Sequence, residues 1–346
     1  MRPELVVPPK LSPGDRVAVV SPSWAAPEAF PARHAVAMTF IERELGLVVV
    51  EYPTTRRAAS PVDRAADLTA AFADRSIRAV MATIGGEDQL TVLPYLDPGV
   101  VCADPKPFLG FSDNTTLLNW LWNLGIAGYH GGSTMVHLAR PGGPHPISYL
   151  SLRDALFASV ERPLAEPAEF SEDEVDWADP SPDTVAPVQP ASGWTWHQPA
   201  MSVTAPTWGG NLEILHWLLA ANRWIRPVED YAGCVLLLET SEELPPAVEV
   251  YRILRNAGER GLLVQFPTVL VARAKAAFFG RPPSPEDRRT YRADQRAAVL
   301  RAFAEYQPDA MIVFDVDFGH TDPQYVLPYG GLVTVDGPNR TITAHY

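Results

Sequence analysis

Short apolar runs alternate with longer segments of helical periodicity in the first third of the chain, and this alternation limits the fold more than any other feature. The apolar runs cover residues 16–21, 47–52 and 78–84, and the helical segments between them cover about 31–45 and 60–73. Runs of this length that are apolar throughout are typical of strands buried on both faces. Strands that alternate with helices form parallel sheets with helices on both faces. The sequence therefore predicts an α/β fold with a parallel sheet in its N-terminal part.

A serine stands at a predicted strand-to-helix turn, in the segment Lys-Pro-Phe-Leu-Gly-Phe-Ser-Asp-Asn-Thr-Thr of residues 106–116. The apolar run ends at Phe111, Ser112 follows, and leucines and tryptophans at helical spacing come next. A hydroxyl at such a turn lies beside the first free amides of the helix, which can hold the oxyanion that its attack on a carbonyl creates. Ser112 is therefore a candidate nucleophile, and an ordinary helix cap is the simpler alternative.

Three loops end neighbouring predicted strands, at residues 21–24, 85–88 and 112–115. Ligands of parallel sheets bind at the carboxyl ends of the strands, so the three loops are expected to converge on one ligand site. Gly85 and Gly86 suit a backbone that approaches a ligand closely, as an oxyanion hole requires. They do not form the Gly-x-Gly-x-x-Gly pattern of dinucleotide-binding sites.

Residues 161–200 differ from the rest of the chain, because they are acidic to about Asp183 and rich in proline throughout. The composition predicts an interdomain connection, long enough to hold a lid or a binding loop. Trp194 and Trp196 near its end are candidates for stacking on a ligand. Packing against the protein is at least as common a role for such aromatic side chains.

A second domain is predicted after this connection. Its predicted strands cover 234–239, 262–272 and 310–318, with a terminal hairpin within 331–346; its predicted helices cover 212–221, 245–258 and 285–304. The chain is thus divided into an N-terminal domain of residues 1–160, the connection of residues 161–200 and a C-terminal domain of residues 201–346.

A serine nucleophile needs a base, usually histidine, and a group that orients the base. His320 follows a predicted strand and a glycine, and Pro323 restricts the loop after it, which is the placement of a catalytic-loop histidine. His130 and His137 flank a Gly-Gly turn and stay open as alternatives. Glu239 ends the apolar run Val-Leu-Leu-Leu and is the candidate orienting acid. A structural role, in which this carboxylate only caps the segment after the strand, is given equal weight.

Other acidic residues receive simpler interpretations. Asp113 is expected to cap the helix that follows Ser112. Glu242 and Glu243 are expected to be solvated neighbours of Glu239.

A metal site is a further possibility, in the segment that carries Asp315, Asp317, His320 and Asp322. Alternation would place Asp315 and Asp317 on one face of a strand, as some metal sites require. No cysteine or second histidine accompanies them. The signal for a metal-dependent hydrolase is therefore weak.

Composition restricts the partners and the compartment. The chain has 28 basic and 41 acidic residues, a formal charge of −13, without basic clusters. This charge argues against nucleic acid and anionic membranes as main partners.

The two cysteines of the chain, Cys102 and Cys234, cannot form a disulfide framework or a four-thiolate zinc site. The chain begins without a signal-peptide-like apolar stretch and no window reaches the length of a membrane span, so a soluble cytoplasmic protein is expected.

Taken in order, the motifs resemble those of the LD-carboxypeptidases of peptidase family S66, which includes muramoyltetrapeptide carboxypeptidases and microcin C immunity peptidases. The likeness covers nearly the whole chain and is weakest at 161–198. It is carried by the segments 8–15, 17–24, Ile-Gly-Gly-Glu-Asp at 84–88, Gly-Phe-Ser-Asp-Asn-Thr at 110–115, Trp-Gly-Gly-Asn-Leu at 208–212, Leu-Leu-Glu-Thr-Ser-Glu-Glu at 237–243 and Gly-His-Thr-Asp-Pro at 319–323.

The resemblance implies a flavodoxin-like or Rossmann-like parallel-sheet N-terminal domain, a smaller β-rich α+β C-terminal domain, a homodimer, and no metal or organic cofactor. Carried over by motif, Ser112 is the nucleophile, Glu239 the orienting carboxylate and His320 the base. The site then lies between the two domains, because the nucleophile belongs to the first and the other two residues to the second.

The resemblance also implies the groups that surround this triad. The oxyanion is held by the backbone amides of Asp113 and of Gly85 or Gly86. Asn211, in the Trp-Gly-Gly-Asn motif, is a candidate for binding substrate, together with Trp194 and Trp196.

Two positions depart from the family pattern. Many relatives have tyrosine where Phe111 stands, and muramoyltetrapeptide carboxypeptidases usually have arginine where this chain has Ile84. The sequence therefore looks closer to the microcin-immunity branch. The substrate is either the L,D-bond of a murein tetrapeptide or the amide of a peptidyl-nucleotide antibiotic, on whose base a tryptophan could stack. A catalytically silent ligand-binding protein on the same fold remains the alternative from another class.

Overall fold

The computed structural model describes residues 5–140, 142–172, 176–178, 186–277 and 283–346. The strands in these ranges are β1 Arg16–Val20, β2 Val48–Glu51, β3 Ile77–Ala82, β4 Phe108–Gly110, β5 Gly128–His130, β6 Glu161–Pro163, β7 Glu169–Phe170, β8 Gln189–Pro190, β9 Thr195–His197, β10 Ser202–Asn211, β11 Val235–Glu239, β12 Thr268–Ala272, β13 Met311–Val316, β14 Leu327–Tyr329, β15 Leu332–Asp336 and β16 Thr341–His345. The α-helices are α1 Ala26–Ala29, α2 Pro31–Arg43, α3 Pro61–Ala73, α4 Pro98–Ala103, α5 Thr115–Asn123, α6 Pro146–Phe157, α7 Leu212–Ala221, α8 Ala247–Glu259 and α9 Pro285–Tyr306.

The first sheet has the strand order β14-β5-β4-β3-β1-β2, and β1 to β5 are parallel. The order 2-1-3-4-5 of these five strands is that of flavodoxin-like folds, so the predicted fold class is confirmed. The sixth strand, β14, comes from the C-terminal part of the chain and pairs with β5 in antiparallel orientation. The two halves of the chain therefore share this sheet.

The second sheet has eight strands in the order β6-β16-β15-β10-β11-β12-β13-β9. Its four central strands, β10 to β13, are parallel, and the flanking strands are antiparallel. The predicted hairpin at the chain end is formed by β15 and β16. Strands β10 and β11 align Asn211 with Glu239, so the ends of these two strands lie side by side.

The segment 161–200, which we predicted to be an interdomain connection, contributes strands to the second sheet. Strand β6 pairs with β16, and β9 pairs with β13. Strands β7 and β8 form a separate two-stranded ribbon. Residues 173–175 and 179–185 of the predicted connection lie outside the described residues, as do residues 1–4 of the predicted N-terminal domain.

Local sequence signals explain several helix boundaries. Helix α3 begins where predicted, because the Ser60 hydroxyl accepts a hydrogen bond from the amide of Asp63 and Pro61 occupies the first turn. Helix α7 begins at the Asn211 side chain, which accepts a hydrogen bond from the amide of Ile214, and ends at Asn222 in the left-handed region. No helix among the described residues has both the length and the apolar composition that crossing a bilayer requires.

Helix α5 packs against strand β10, and this contact joins the two sheets. The Thr115 hydroxyl at the start of α5 accepts a hydrogen bond of 3.1 Å from the amide of Asn211. Further along the helix, the indole of Trp208 donates to the side-chain oxygen of Asn119 at 2.9 Å. The two bonds fix the position and the rotation of α5 on the second sheet.

Aromatic side chains fill the space beneath this contact. The rings of Trp122 and Tyr231 stack at 5.1 Å, and the ring of Trp208 lies 4.5 Å from Tyr231. All three side chains are almost completely buried. Fully buried aromatic side chains each remove about 150–250 Å² from water, so this cluster stabilises the docked arrangement strongly.

We predict that Gly210→Ala, in β10, impairs both stability and the docking of α5. Gly210 has a φ of 112°, and a Cβ atom there would lie 2.6 Å from the Thr115 hydroxyl. The side chain of Thr115 is buried and must shift, which breaks its bond to Asn211. We expect a loss of about 1–3 kcal/mol from overpacking, in addition to the backbone strain, measured by urea unfolding.

Gly233→Ala is the matched control. Gly233 also has a positive φ, 78°, but a Cβ atom there meets nothing within 4 Å. We expect it to cost only the strain of the left-handed backbone, about 1–2 kcal/mol. Equal losses in the two variants would show that the contact with Thr115 contributes nothing.

Candidate active site

Ser112 lies at a strained turn between β4 and α5. Phe111 is extended, with φ −150° and ψ −174°, and Ser112 then takes a φ of 62°. A left-handed backbone costs a non-glycine residue about 1–2 kcal/mol, and such strain is concentrated at functional turns. A short 3₁₀ turn, Ser112–Asn114, leads into α5. This geometry is that of a nucleophile elbow rather than of an ordinary helix cap.

Hydrogen bonds tie the three predicted loops together around this turn. The Asp113 carboxylate is buried and accepts bonds from the Ser23 hydroxyl at 2.5 Å and from the amide of Gln89 at 2.9 Å. The amide side chain of Asn114 donates to the carbonyl of Ile84 at 3.1 Å. The convergence predicted for the loops is confirmed. Our expectation that Asp113 caps α5 is wrong, because its carboxylate bonds to the neighbouring loops instead.

Gly85 lies directly against the serine. A Cβ atom on Gly85 would be 2.8 Å from Ser112 Cβ and 2.9 Å from its hydroxyl, so only glycine permits this approach. The same Cβ atom would be 3.2 Å from the amide nitrogen of Asp113. Among the described residues, the amides of Gly86 and Asp113 make no hydrogen bonds. The unpaired amide of Asp113 therefore lies beside Ser112, and that of Gly86 belongs to the loop that packs against this serine.

His320 and Glu239 form a hydrogen-bonded pair at the end of the second sheet. The two atoms Nδ1 of His320 and Oε2 of Glu239 are 2.6 Å apart, and Glu239 is buried. Gly319 makes this approach possible, because a Cβ atom there would lie 2.9 Å from Ala272 Cβ and 3.3 Å from Glu239 Cβ. The ring of Phe111 packs on the His320 ring with centroids 4.9 Å apart, which brings the histidine to the turn that carries Ser112.

The second nitrogen of His320 contacts another carboxylate. Nε2 lies 3.0 Å from Oε2 of Glu242, a residue that we expected to be only a solvated neighbour. Burial is the largest single effect on the imidazole and opposes its charge, but Glu239 and Glu242 together outweigh it and raise the pKa of His320 to about 10. Among the described residues, no hydrogen bond joins Ser112 to His320. The structure thus places the imidazole between two carboxylates, and the raised pKa favours its protonated form at neutral pH.

A cavity of about 920 Å³ opens over these residues. Five of the predicted site residues line it, namely Gly85, Gly86, Ser112, Asn211 and His320. Because Ser112 belongs to the first half of the chain and His320 to the second, the cavity lies between the two halves. The Nδ2 atom of Asn211 is buried without a hydrogen-bond partner among the described residues, and is therefore a donor available to a ligand.

Trp194 and Trp196 do not line the cavity. Trp194 is buried, and its indole donates to Asp317 at 3.0 Å. Trp196 lies in the edge strand β9, opposite Val313 of β13. The two tryptophans therefore pack on the second sheet.

Other aromatic and basic residues, which sequence reasoning missed, form one wall of the cavity. Phe30 packs edge-on against Trp24 at 6.1 Å and against Trp177 at 5.6 Å. The guanidinium of Arg33 lies 4.2 Å above the ring of Trp177, and all four residues line the cavity. Trp177 belongs to the acidic segment, where no local pattern marked it.

The three aspartates considered for a metal site each form an ion pair with an arginine. Asp315 pairs with Arg296 at 2.5 Å, and Asp317 pairs with Arg273 at 3.1 Å. Asp322 pairs with Arg140. Within the described ranges, no group of three or more His, Cys, Asp or Glu side chains is arranged to hold a metal ion. The positive φ of Asp315, 65°, also breaks the strand alternation on which that hypothesis depended.

His130 and His137 lie beside Phe111, with ring centroids 6.1 and 5.5 Å from it. Burial, the largest effect, lowers the pKa of His130 to about 4 and that of His137 to about 3, so both are neutral at neutral pH. Glu239 hydrogen-bonds to His320 rather than to either of them.

Comparison with known proteins gives two family matches. Residues 17–131 match the LD-carboxypeptidase N-terminal domain, and residues 204–335 match the LD-carboxypeptidase C-terminal domain. A protein of Vibrio cholerae with a provisional carboxypeptidase name is 25% identical over 338 residues, which are 96% of this chain and 95% of that protein. The microcin C7 self-immunity protein MccF of Escherichia coli is 25% identical over 183 residues, 48% of this chain and 51% of MccF.

Solved structures show the same fold. MccF in complex with glutamyl sulfamoyl guanosine has a TM-score of 0.83 at 20% identity, and the match covers 99% of each chain. An MccF-like protein from Streptococcus pneumoniae in complex with AMP has a TM-score of 0.82 at 23% identity, over 96% of this chain and 99% of that one.

Proposed function

Because the chain belongs to the LD-carboxypeptidase family, we propose that it is a serine carboxypeptidase with Ser112, His320 and Glu239 as its catalytic triad. The observation that carries the proposal is the convergence, at one cavity, of a serine on a strained turn with a histidine whose Nδ1 is held by a buried carboxylate. A nucleophile, a base and an orienting acid are the parts of a serine hydrolase.

The geometry supports the following course of reaction. Ser112 attacks the carbonyl of the scissile amide while Nε2 of His320 takes the hydroxyl proton. Glu239 fixes the imidazole and stabilises its positive charge. The amides of Asp113 and of Gly85 or Gly86 hold the oxyanion, and each such donor contributes about 10²–10³-fold in rate. His320 then gives its proton to the leaving amine, and water hydrolyses the acyl-enzyme.

The cavity wall favours a substrate that carries a nucleotide. Trp24, Phe30 and Trp177 offer aromatic faces on which a base can stack, and Arg33 lies beside them for a phosphate or sulfamoyl group. Structures of MccF contain aspartyl sulfamoyl adenosine and glutamyl sulfamoyl guanosine. We therefore place an aminoacyl or peptidyl nucleotide first, and a murein L,D-tetrapeptide second, since a murein peptide carboxypeptidase name occurs among the relatives. We carry over from the resemblance a homodimer and a cytoplasmic location.

We predict that the wild-type protein hydrolyses an aminoacyl sulfamoyl adenosine, and that Ser112→Ala lowers kcat by about 10³-fold or more. The measurement is product formation by mass spectrometry, on a panel that also contains L-Lys-D-Ala and diaminopimelyl-D-Ala tetrapeptides. Hydrolysis of the tetrapeptides alone would reverse the order of the two substrate classes.

Ser171→Ala is the matched control, because Ser171 also lines the cavity and its hydroxyl has no hydrogen-bond partner among the described residues. It should retain most of the activity. Binding without hydrolysis of any panel member would favour a silent binding protein. Activity that persists in Ser112→Ala and is lost with a strong chelator would favour a metal-dependent hydrolase.

We predict that Trp177→Ala raises KM for a nucleotide-bearing substrate by about 5- to 150-fold, with a smaller change in kcat. The expected range follows from about 1–3 kcal/mol for the stacking of one base on an aromatic side chain. Trp196→Ala is the control, because Trp196 lies in β9 outside the cavity lining, and it should leave KM unchanged. An unchanged KM in Trp177→Ala would remove Trp177 from the base-binding wall.

A further inference from the structure

The carboxylate of Glu242 occupies the nitrogen of His320 that the reaction requires. Nδ1 of the imidazole is taken by Glu239 at 2.6 Å, so only Nε2 can accept a proton from Ser112. In the structure Nε2 instead forms an ion pair with Glu242 at 3.0 Å. An imidazole that donates from both nitrogens is charged and cannot act as a base.

Hydrogen bonds hold the backbone beside Glu242, whereas its side chain is largely exposed. The preceding residue, Ser241, donates to Oε1 of Glu213 from its amide at 3.0 Å and from its hydroxyl at 2.7 Å. The Ser241 hydroxyl also accepts a bond from the amide of Glu243 at 3.2 Å. The side chain of Glu242 is 53% exposed, whereas that of His320 is only 8% exposed. Of the two partners, therefore, Glu242 is the one that can swing away while its loop stays in place.

We propose that Glu242 is a positioning residue that holds Nε2 of His320 in the free protein and gives it up to Ser112 when substrate occupies the cavity. The proposal rests on the triad proposed above, and extends it to the control of its base. Glu242, Ser112 and His320 all line the same cavity, so a ligand that reaches the serine also reaches this ion pair. Displacement of one exposed carboxylate then converts the resting site into the reactive one.

His130, His137 and Glu242 keep their charge states over the pH range in which His320 titrates. Glu239, on β11, holds Nδ1. His130, on β5, and His137, in the π-helix Thr134–Leu138, are neutral above about pH 4, because burial lowers the pKa of each. Burial acts to raise the pKa of the Glu242 carboxyl, but the contact with His320 and the charge of Lys275 outweigh it and lower the pKa to about 2. Glu242 is thus ionised wherever His320 titrates.

The pH dependence of the reaction follows from these charges. A base acts in its neutral form, so kcat/KM rises with pH through the pKa of His320 in the free protein, and kcat rises through its pKa in the substrate complex. Glu242 raises the first pKa and, once displaced, contributes less to the second. In the wild type, the rise in kcat/KM should therefore lie at higher pH than the rise in kcat.

The test compares Glu242→Gln with the wild type, using whichever panel substrate is hydrolysed. Glutamine removes the charge but keeps the shape, so the rise in kcat/KM should move to lower pH by about one unit or more, while the rise in kcat moves less. At pH values below the rise, we divide kcat/KM by its high-pH plateau value. This ratio should be about tenfold higher in Glu242→Gln than in the wild type. Glu243→Gln is the matched control, because Glu243 lines the same cavity and makes no contact with His320, and its profiles should stay in place.

Three outcomes would overturn the proposal. One is an unchanged kcat/KM profile in Glu242→Gln, and another is an equal shift in Glu243→Gln. The third is an equal shift of kcat and kcat/KM in Glu242→Gln, which would mean that Glu242 stays on the imidazole throughout the reaction.

A second measurement needs no substrate and therefore separates this proposal from the proposed function. NMR titration of the full chain with labelled histidine gives the pKa of His320 directly, with its signals assigned by their loss in His320→Gln. A pKa that is lower by about one unit in Glu242→Gln and unchanged in Glu243→Gln supports the proposal. An unchanged pKa in Glu242→Gln overturns it. Absence of hydrolysis across the whole panel, with the NMR shift present, would instead count against the proposed function alone.

Discussion

The contact between helix α5 and strand β10 determines where Ser112 lies relative to the other proposed triad residues. The helix begins three residues after the serine, and its first residue, Thr115, is bonded to the amide of Asn211 at the end of β10. Strand register then places Asn211 beside Glu239 on β11, and Glu239 holds His320. Each step is a hydrogen bond or a register of parallel strands. The position of Ser112 relative to Glu239 and His320 is thus fixed through helix α5 and strands β10 and β11, with no flexible segment between them.

Close approaches within this arrangement require glycine at particular points. Gly210 lets β10 approach Thr115, Gly85 lets its loop approach Ser112, and Gly319 lets the histidine loop approach Glu239. A Cβ atom would lie within 3.0 Å of a neighbouring side chain at each of the three glycines, which for Gly319 is that of Ala272. Together with the buried aromatic cluster of Trp122, Trp208 and Tyr231, these contacts make the cavity a product of docking between the halves.

The sequence was most informative where a local pattern reports a local structure. Strands buried on both faces appear as short apolar runs, so β1, β3 and β11 were predictable to within a few residues, and the polar residue after each run was predictably at the sheet edge. Ser112 and Glu239 were found in this way. The family resemblance then assigned them roles that position alone had left open.

The residue roles that could not be predicted depend on contacts with residues that are distant in the sequence. Trp196 pairs with β13 through β9, and Trp194 is buried with its indole on Asp317; neither contact has a signal in the segment 161–200 itself. Asp317 serves an ion pair with Arg273, which alternation of carboxylates along a strand could not reveal. Glu242 was expected to be solvated, because its contact exists only once the loop of His320 is folded against β11.

In the proposed mechanism, Ser112 is a nucleophile that His320 activates across the interface between the two halves. The most direct measurement is reaction of the full chain with a fluorophosphonate, followed by intact-mass analysis and peptide mapping. A single adduct on Ser112 is expected, and it should form much more slowly in His320→Ala and Glu239→Ala. The mechanism would be contradicted by a protein that hydrolyses its substrate while Ser112 stays unmodified, or by an adduct that forms equally fast without His320.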